Sequence, residues 1–202
     1  MIRIGSGLTL FGLMCMGACR SADPQVEPSP PAAVSVGDFG RFEGDVVARW
    51  LEDDRTMELL EHFRFVDCHG TDWPAPIGSV VDGASIPRFL WATAGSPFTG
   101  SYRKASVVHD VACDERLRPW QRVHRMFYDA CRAGGMGSAP AKTMFWAVYH
   151  LGPTWSPDGQ SFVPASELES LSQEQQLKVD EILQYIESTD PPLEEIESLV
   201  LE

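Results

Sequence analysis

Three helix-forming segments in the second half of the chain limit the fold more than any other feature. They cover residues 102–113, 120–133 and 138–151, where apolar side chains recur with helical spacing. Pro119 precedes the second segment, and the Gly134-Gly135 pair ends it. Because the connections are short, consecutive helices are expected to pack side by side. The sequence therefore predicts a three-helix bundle.

The segment before these helices, residues 45–86, has the character of strands and turns. Apolar residues dominate 46–51 and return at 57–66, with a polar stretch between the two runs. Gly, Asp and Pro then punctuate residues 70–76. We expect two or three short antiparallel strands here. The predicted fold class is α+β, with short antiparallel strands at the N-terminal side followed by the three-helix bundle and an acidic C-terminal helix.

The N-terminus has the features of a lipoprotein export signal. A basic residue precedes an uncharged, mostly apolar run over residues 4–16, which is too short to span a bilayer as a stable helix. Met16-Gly17-Ala18-Cys19 resembles the bacterial lipobox, so residues 1–18 are expected to be removed and Cys19 to carry lipid. The alternative is an ordinary secretory signal cut at a small-residue site.

A tether is expected between this anchor and the folded domain. Residues 19–40 contain four prolines among Ser and Ala, a composition typical of extended linkers. Arg20, rather than Asp, follows Cys19, and in a Gram-negative host this favours sorting to the outer membrane. The sequence thus predicts a protein of the cell envelope that faces the periplasm.

The acidity of the chain belongs to its C-terminal tail. Residues 167–202 hold eleven acidic residues and one basic residue, and hence −10 of the formal charge of −13. The acidic excess argues against nucleic-acid binding, which depends on Lys and Arg. A hydrophobic content of 44% excludes wholesale disorder. The remaining domain is close to charge balance, so a membrane-adjacent or lipid substrate is compatible with it.

Within the tail, an amphipathic helix is predicted over residues 172–188. Ser172 is a suitable N-cap, and Val179, Ile182 and Ile186 recur at helical spacing. Two interpretations remain open for this helix. It packs one apolar stripe on the domain and leaves the rest in solvent, or it forms the docking surface for a protein partner.

Three cysteines remain once Cys15 leaves with the signal and Cys19 is lipidated. Cys68, Cys113 and Cys131 allow at most one intrachain disulfide in an oxidising compartment. The helical rise between Cys113 and Cys131 disfavours a bridge between those two. Cys68 is therefore the expected partner of one of them.

The candidate chemistry centres on His109, Asp110 and His124. His109 and His124 lie about equally far from the turn between the first two helices, so we expect the two imidazoles to face each other. In one hypothesis His109 is a general base that activates water, and Asp110 orients it or binds calcium. In a second, His109, Cys113 and His124 bind zinc. In a third, the residues close a polar network inside the core.

A second unusual segment lies upstream. Asp82 and Ser85 have the spacing of residues that cap backbone amides before Pro87. A catalytic Ser85 is the alternative, and it requires a base supplied from elsewhere in the fold.

These motifs resemble a known family. The run Asp82-Gly83-Ala84-Ser85-Ile86-Pro87-Arg88, the His-Asp pair at 109–110, the aromatic residues near 126–128 and the stretch 146–152 are similar to the bacterial and phage family called domain of unknown function 1353. The resemblance covers roughly residues 41–153 and implies no established activity. Val81 and His124 depart from the family pattern, which usually has Thr and Asp there.

The His-Asp helix of that family is itself similar to the helix pair of secreted phospholipases A2. That resemblance implies that His109 is the base and Asp110 the calcium ligand. An Asp on the neighbouring helix would orient the base, but this chain has His124. An imidazole can accept a hydrogen bond from His109, whereas only a carboxylate would stabilise the charged ring.

The sequence therefore predicts four regions: a signal peptide (1–18), a lipid-anchored tether (19–40), an α+β domain (41–153), and a linker with an acidic helical tail (154–202). One candidate function is hydrolysis of an ester in a lipid or envelope substrate. The other is a noncatalytic envelope or phage-derived interaction protein that binds a partner through its tail. The candidate site residues are Asp82, Ser85, His109, Asp110 and His124.

Overall fold

The computed structural model describes residues 38–53, 55–83, 100, 102–165 and 171–201. All described residues belong to one compact unit, Ser35–Glu202. The predicted signal, Cys19, most of the tether and Ser85 lie outside the described residues. None of the described helices combines the length and the apolar character needed to cross a membrane.

Short antiparallel strands form three small sheets in the described part of the chain. The strands are β1 (Gly40–Glu43), β2 (Ala48–Trp50), β3 (Met57–Leu59), β4 (Phe63–Asp67), β5 (Asp72–Ala75), β6 (Val80–Val81), β7 (Thr154–Trp155) and β8 (Phe162–Val163). The first sheet has the order β1-β4-β5, the second has the order β2-β3-β6, and β7 pairs with β8.

The sequence predicted two or three strands within residues 45–86, but five are present there. The apolar run over 57–66 is the main source of the difference. It is interrupted at residues 60–62, so that β3 joins one sheet and β4 joins another. Strands of two to five residues are too short to show a clear alternation of apolar and polar side chains.

Five helices follow or flank these strands among the described residues. They are α1 (Arg103–Glu115), α2 (Trp120–Ala133), α3 (Ser138–Leu151), α4 (Gln173–Thr189) and α5 (Leu193–Ile196). The predicted α+β class, with antiparallel strands before a three-helix bundle, is confirmed. The first sheet packs against α1 and α2, and large side chains such as Phe65, Trp73, Phe127 and Trp146 share one buried core.

The end of α3 depends on a glycine. A Cβ atom at Gly152 would lie 2.1 Å from the carbonyl oxygen of Val148, which is far inside van der Waals contact. Only a residue without a side chain therefore lets the backbone turn here. The next residue, Pro153, is buried and leads the chain back across the first two helices, where its carbonyl group meets His124.

The acidic tail packs on the domain, and the amphipathic helix predicted for it is present. Val179, Ile182 and Ile186 of α4 are buried. Ser172 caps α4 in a capping box with Gln175. Lys142 of α3 anchors the end of α4, because its Nζ atom lies 2.7 Å from Oδ1 of Asp190. The apolar stripe of the tail thus faces the domain, while its carboxylates remain at the surface.

The disulfide expected from the sequence is wrong. Among the described residues, no disulfide links Cys68, Cys113 and Cys131. Cys68 is exposed in the turn between β4 and β5, whereas Cys113 and Cys131 are buried on α1 and α2. The sequence argument excluded a Cys113–Cys131 bridge and therefore named Cys68 as the partner. That step assumed that one disulfide forms.

Candidate functional site

The candidate site is built on the two adjacent helices α1 and α2. Their four-residue connection brings His109 opposite His124, as the spacing predicted, and Nε2 of His109 lies 2.9 Å from Nδ1 of His124. Both imidazoles are fully buried. Cys113 follows His109 by four residues and therefore lies on the same face of α1.

The backbone carbonyl of Pro153 determines how the protons are arranged in this pair. Nε2 of His124 lies 3.0 Å from the Pro153 oxygen, which can only accept a hydrogen bond, so this nitrogen must be the donor. In a neutral His124 the Nδ1 atom is then an acceptor, and His109 donates to it from Nε2. The Nδ1 atom of a neutral His109 is left without a proton.

Burial keeps both rings neutral. The pKa of His109 is well below its usual value of 6.5, first because of desolvation and second because of repulsion from His124. Desolvation also lowers the pKa of His124 to about 4, although the Pro153 carbonyl acts in the opposite direction. The surroundings are aromatic: Phe127 packs on His109, and Trp120 and Trp155 pack on His124. At neutral pH this pair carries no charge.

Cys113 connects the buried pair with a surface cleft. Its Sγ atom lies 3.7 Å from Nε2 and 3.9 Å from Nδ1 of His109, and the same residue forms part of the cleft wall. Only 3% of Cys113 is exposed, so its contact with the cleft is narrow. From the sequence, Cys113 was a candidate zinc ligand or disulfide partner, and not a nucleophile. Its position four residues after His109 was the signal for a thiol–imidazole pair.

The cleft has a volume of about 460 Å³ and lies beside the C-terminal half of α1. Asp82, directly after β6, lines one part of it, and Asp110 and Asp114 of α1 line another. Pro153 and the exposed ring of Phe162 complete its walls. The cleft wall therefore combines carboxylates with apolar surface.

Asp110 joins the two sides of the cleft. Its Oδ2 atom accepts a hydrogen bond from the backbone N–H of Gly83 at 2.7 Å, which holds the segment after β6 against α1. Asp82 and Asp110 thus line the same cleft, close to His109 and His124 in α1 and α2. Burial and the charge of Asp82 both raise the pKa of Asp114. Ser85 lies outside the described residues.

The candidate ligand atoms at the site favour zinc over calcium. His109, Cys113 and His124 have three ligand atoms within 4.8 Å of one another. Within the described ranges, the three cleft aspartates do not form a comparable group. Nitrogen and sulfur ligands suit zinc, whereas calcium requires several oxygen ligands. Calcium at Asp110 stays a prediction of the phospholipase A2 resemblance.

Comparison with known proteins adds relatives of unknown activity. The chain is 42% identical over 120 residues to the uncharacterized protein y4jT of Sinorhizobium fredii (strain NBRC 101917 / NGR234), a match covering 58% of this chain and 36% of the relative. It is 41% identical over 106 residues to the uncharacterized protein y4iH of the same organism, covering 52% and 44% of the two chains. The matches span less than half of either relative.

No solved structure matches the chain. Residues 57–148, which include α1 and α2 and therefore His109, Cys113 and His124, match the family described as "Protein of unknown function (DUF1353)". The family match covers six of the residues that line the cleft, Asp82, Asp110, Cys113 and Asp114 among them, and leaves out five: Thr56, Pro153, Phe162, Pro164 and Ala165. Residues 57–148 therefore carry the similarity to the DUF1353 family that the sequence motifs predicted.

Proposed function

We propose that this protein is an exported, lipid-anchored hydrolase of the cell envelope that cleaves an ester through Cys113 and His109. One observation carries the proposal: Cys113 contacts His109 within 3.9 Å and also forms part of the wall of the acidic cleft. A nucleophile, a base and a group that orients the base are the elements of a hydrolytic triad. Here His124 would orient the base, with the Pro153 carbonyl behind it.

The proposed reaction has two steps. In the first, the thiol proton of Cys113 passes to Nδ1 of His109 while Sγ attacks the carbonyl carbon of the ester. The carbon–oxygen bond then breaks, the leaving alcohol takes the proton from His109, and a thioester remains. In the second, water attacks the thioester and gives a proton to His109. That proton returns to the sulfur as the acid leaves.

The low pKa of His109 is compatible with this role. That pKa describes the uptake of a proton from water, which would place a lone positive charge in an apolar core. Transfer from Cys113 instead creates a cation beside a thiolate, and the pair has no net charge. In the first step Cys113 is positioned to give up its proton, because its Sγ atom lies 3.9 Å from Nδ1 of His109.

The walls of the cleft indicate which esters suit it. Asp82, Asp110 and Asp114 repel an anionic headgroup, while Phe162 offers a surface for an acyl chain. A neutral ester therefore fits the cleft directly. An anionic phospholipid requires a cation, such as the calcium predicted at Asp110, so its hydrolysis should stop in a calcium chelator while that of a neutral ester continues.

Thiol alkylation tests the proposal. The full chain in detergent is incubated with iodoacetamide while hydrolysis of neutral and phospholipid esters is measured, and the labelled cysteine is identified by mass spectrometry. We expect activity to fall in proportion to the labelling of Cys113. Added substrate should slow both the labelling and the loss of activity. The Cys68→Ala variant is the matched control, because Cys68 is an exposed thiol that the reagent also labels and its removal should leave hydrolysis unchanged. Full labelling of Cys113 with unchanged hydrolysis would sink the proposal.

Export and lipidation are tested separately. The Cys19→Ala variant has no thiol to which diacylglycerol can be attached. We therefore expect less of the lipidated, membrane-bound form, and soluble protein or uncleaved precursor in its place. The measurement is fractionation with mass spectrometry of the mature N-terminus. A mature wild-type protein without lipid, cut elsewhere in the first 37 residues, would support an ordinary secretory signal instead.

A second candidate function is recognition of a basic protein segment by the tail. A groove of about 870 Å³ runs between α4 and residues 195–200. Leu177, Tyr185 and Val200 leave much apolar surface exposed there, and the charged residues of the lining are three acids and one base: Glu174, Glu181, Glu195 and Lys178. Apolar side chains in an acidic frame suit a partner that carries both apolar and basic residues.

Point substitutions test this surface better than removal of the tail, because α4 covers part of the core. We expect the Leu177→Ser/Tyr185→Ser variant to lose at least tenfold in affinity for a captured envelope partner, with little change in stability. Leu117→Ser is the matched control, since Leu117 is 76% exposed on the connection between α1 and α2. Equal binding by both variants would exclude the groove as the binding surface.

A further inference from the structure

The three residues around the buried imidazole pair have the chemistry of a transition-metal site. Tetrahedral zinc with bonds of about 2.0–2.1 Å to nitrogen and about 2.3 Å to sulfur places its nitrogen ligands about 3.3 Å apart and nitrogen and sulfur about 3.6 Å apart. Nε2 of His109 lies 3.7 Å from Sγ of Cys113 and 2.9 Å from Nδ1 of His124. An ion would have to widen the contact between the two rings by about 0.4 Å and draw together the third pair, Sγ of Cys113 and the His124 nitrogen, which lies within 4.8 Å.

The surroundings of His124 match those of a zinc-bound imidazole. Histidine ligands usually donate their second ring N–H to a carbonyl or carboxylate, which fixes the ring. His124 makes this bond from Nε2 to the Pro153 carbonyl at 3.0 Å, and its Nδ1 atom points to His109. His124 is thus already held with a bare nitrogen turned towards the centre of the cluster.

Binding of an ion requires two proton movements. Cys113 must lose its thiol proton, because the thiolate is the ligand. The proton on Nε2 of His109 must move to Nδ1, so that Nε2 becomes a ligand. The second movement is a change of tautomer and releases nothing. One proton should therefore leave the protein for each ion bound.

We propose that His109, Cys113 and His124 form a site for zinc, and that zinc held there inhibits hydrolysis by occupying the thiol and its base. Three protein ligands leave one coordination position open, and Cys113 lies in the wall of the cleft. Two nitrogens and one sulfur exclude calcium and magnesium as the preferred ions. The inhibition rests on the proposed hydrolase, whereas the metal site does not.

Metal titration of the full chain in detergent tests the site. We expect one cobalt ion per chain with the near-ultraviolet absorption of a thiolate–cobalt bond, and zinc should displace the cobalt. Calorimetry in buffers of different ionisation enthalpy should find about one proton released per zinc. Cys113→Ser should lower the affinity at least 100-fold and abolish the absorption, and His124→Gln should lower the affinity at least tenfold. Cys131→Ser, two helical turns after His124 on α2 and outside the three-residue group, should change neither.

The possible results test the metal site and the proposed ester hydrolysis independently. Binding of cobalt with equal affinity by Cys113→Ser, while thermal unfolding shows that the variant is folded, would overturn the metal site. Loss of hydrolysis on adding one equivalent of zinc, with recovery in a chelator, is the expected result for activity. Hydrolysis that requires zinc would overturn the inhibitory role. Zinc binding without hydrolysis under any condition would leave the metal site standing and refute the proposed hydrolase.

Discussion

The Cys113→Ala variant is expected to hydrolyse the ester at no more than about one thousandth of the wild-type kcat/KM. Without the sulfur there is no thioester, and water would have to attack the ester directly. His109→Ala should cause a loss of similar size, because an unassisted thiol at neutral pH is mostly protonated. The two losses should not add, since nucleophile and base act in the same step.

The matched controls for this series are Cys131→Ala and Ser106→Ala. Cys131 is a buried cysteine outside the cleft wall, and Ser106 is a buried polar residue one turn before His109 on α1. Both should keep at least about a third of the activity, provided that the variants unfold at temperatures close to that of the wild type. A Cys113→Ala variant with near-normal kcat/KM would require a different nucleophile.

Acid should destabilise the folded protein because its two imidazoles are buried in the neutral form. We expect the free energy of unfolding to fall by about 2–3 kcal/mol between pH 7.5 and pH 5. The pKa of His124 is about 4 in the folded chain and about 6.5 when unfolded, so the unfolded state binds more protons between these values. Stability from His124 is therefore present above pH 6.5 and lost as the pH falls, by about 2 kcal/mol at pH 5.

Other groups with shifted pKa values change the size of this effect, His109 and Asp129 among them. His109 acts in the same direction, because its pKa is also lowered by burial. Asp129 acts in the opposite direction: burial and the nearby charge of Asp67 raise its pKa to about 6 from 3.8. The folded state then takes up a proton between pH 6 and 3.8, which offsets about 1 kcal/mol of the loss.

Urea unfolding at pH 7.5 and pH 5 tests this prediction in the wild type and two variants. The His124→Gln variant should show a smaller loss of stability than the wild type, since one of the two imidazoles is gone. The Asp129→Asn variant should show a larger loss, because the offset disappears. The comparison uses the difference between pH values within each protein, so a general destabilisation by either substitution cancels. Equal pH dependence in all three would mean that neither residue titrates abnormally.

The helices could be predicted because Pro and Gly mark their ends. Pro119 and Gly134 border α2, and Gly152 ends α3, all within a residue of the expected boundaries. The contact between His109 and His124 also followed from spacing, since equal distances from a short connection place two residues opposite each other. The strands could not be counted, because a run such as 57–66 reads as one segment although its halves belong to different sheets.

The environment of the imidazoles could not be predicted from local sequence. The Pro153 carbonyl that determines the tautomers is 29 residues beyond His124 and reaches it only after α3 turns at Gly152. The position of Cys113 in the cleft wall likewise depends on where β6 and β8 lie. A fully buried histidine pair alone equally suits the polar core network that the sequence offered as its third hypothesis. The contact between Cys113 and the cleft is what favours chemistry.

Trapping of the covalent intermediate tests the central claim most directly. The full chain is mixed with a slowly hydrolysed ester, the reaction is stopped with acid during turnover, and the peptides are analysed by mass spectrometry. We expect the acyl group to be attached to Cys113 in the wild type and no acylated peptide to be found in Cys113→Ala. Acylation of Ser85, or turnover without any acyl group on Cys113, would contradict it.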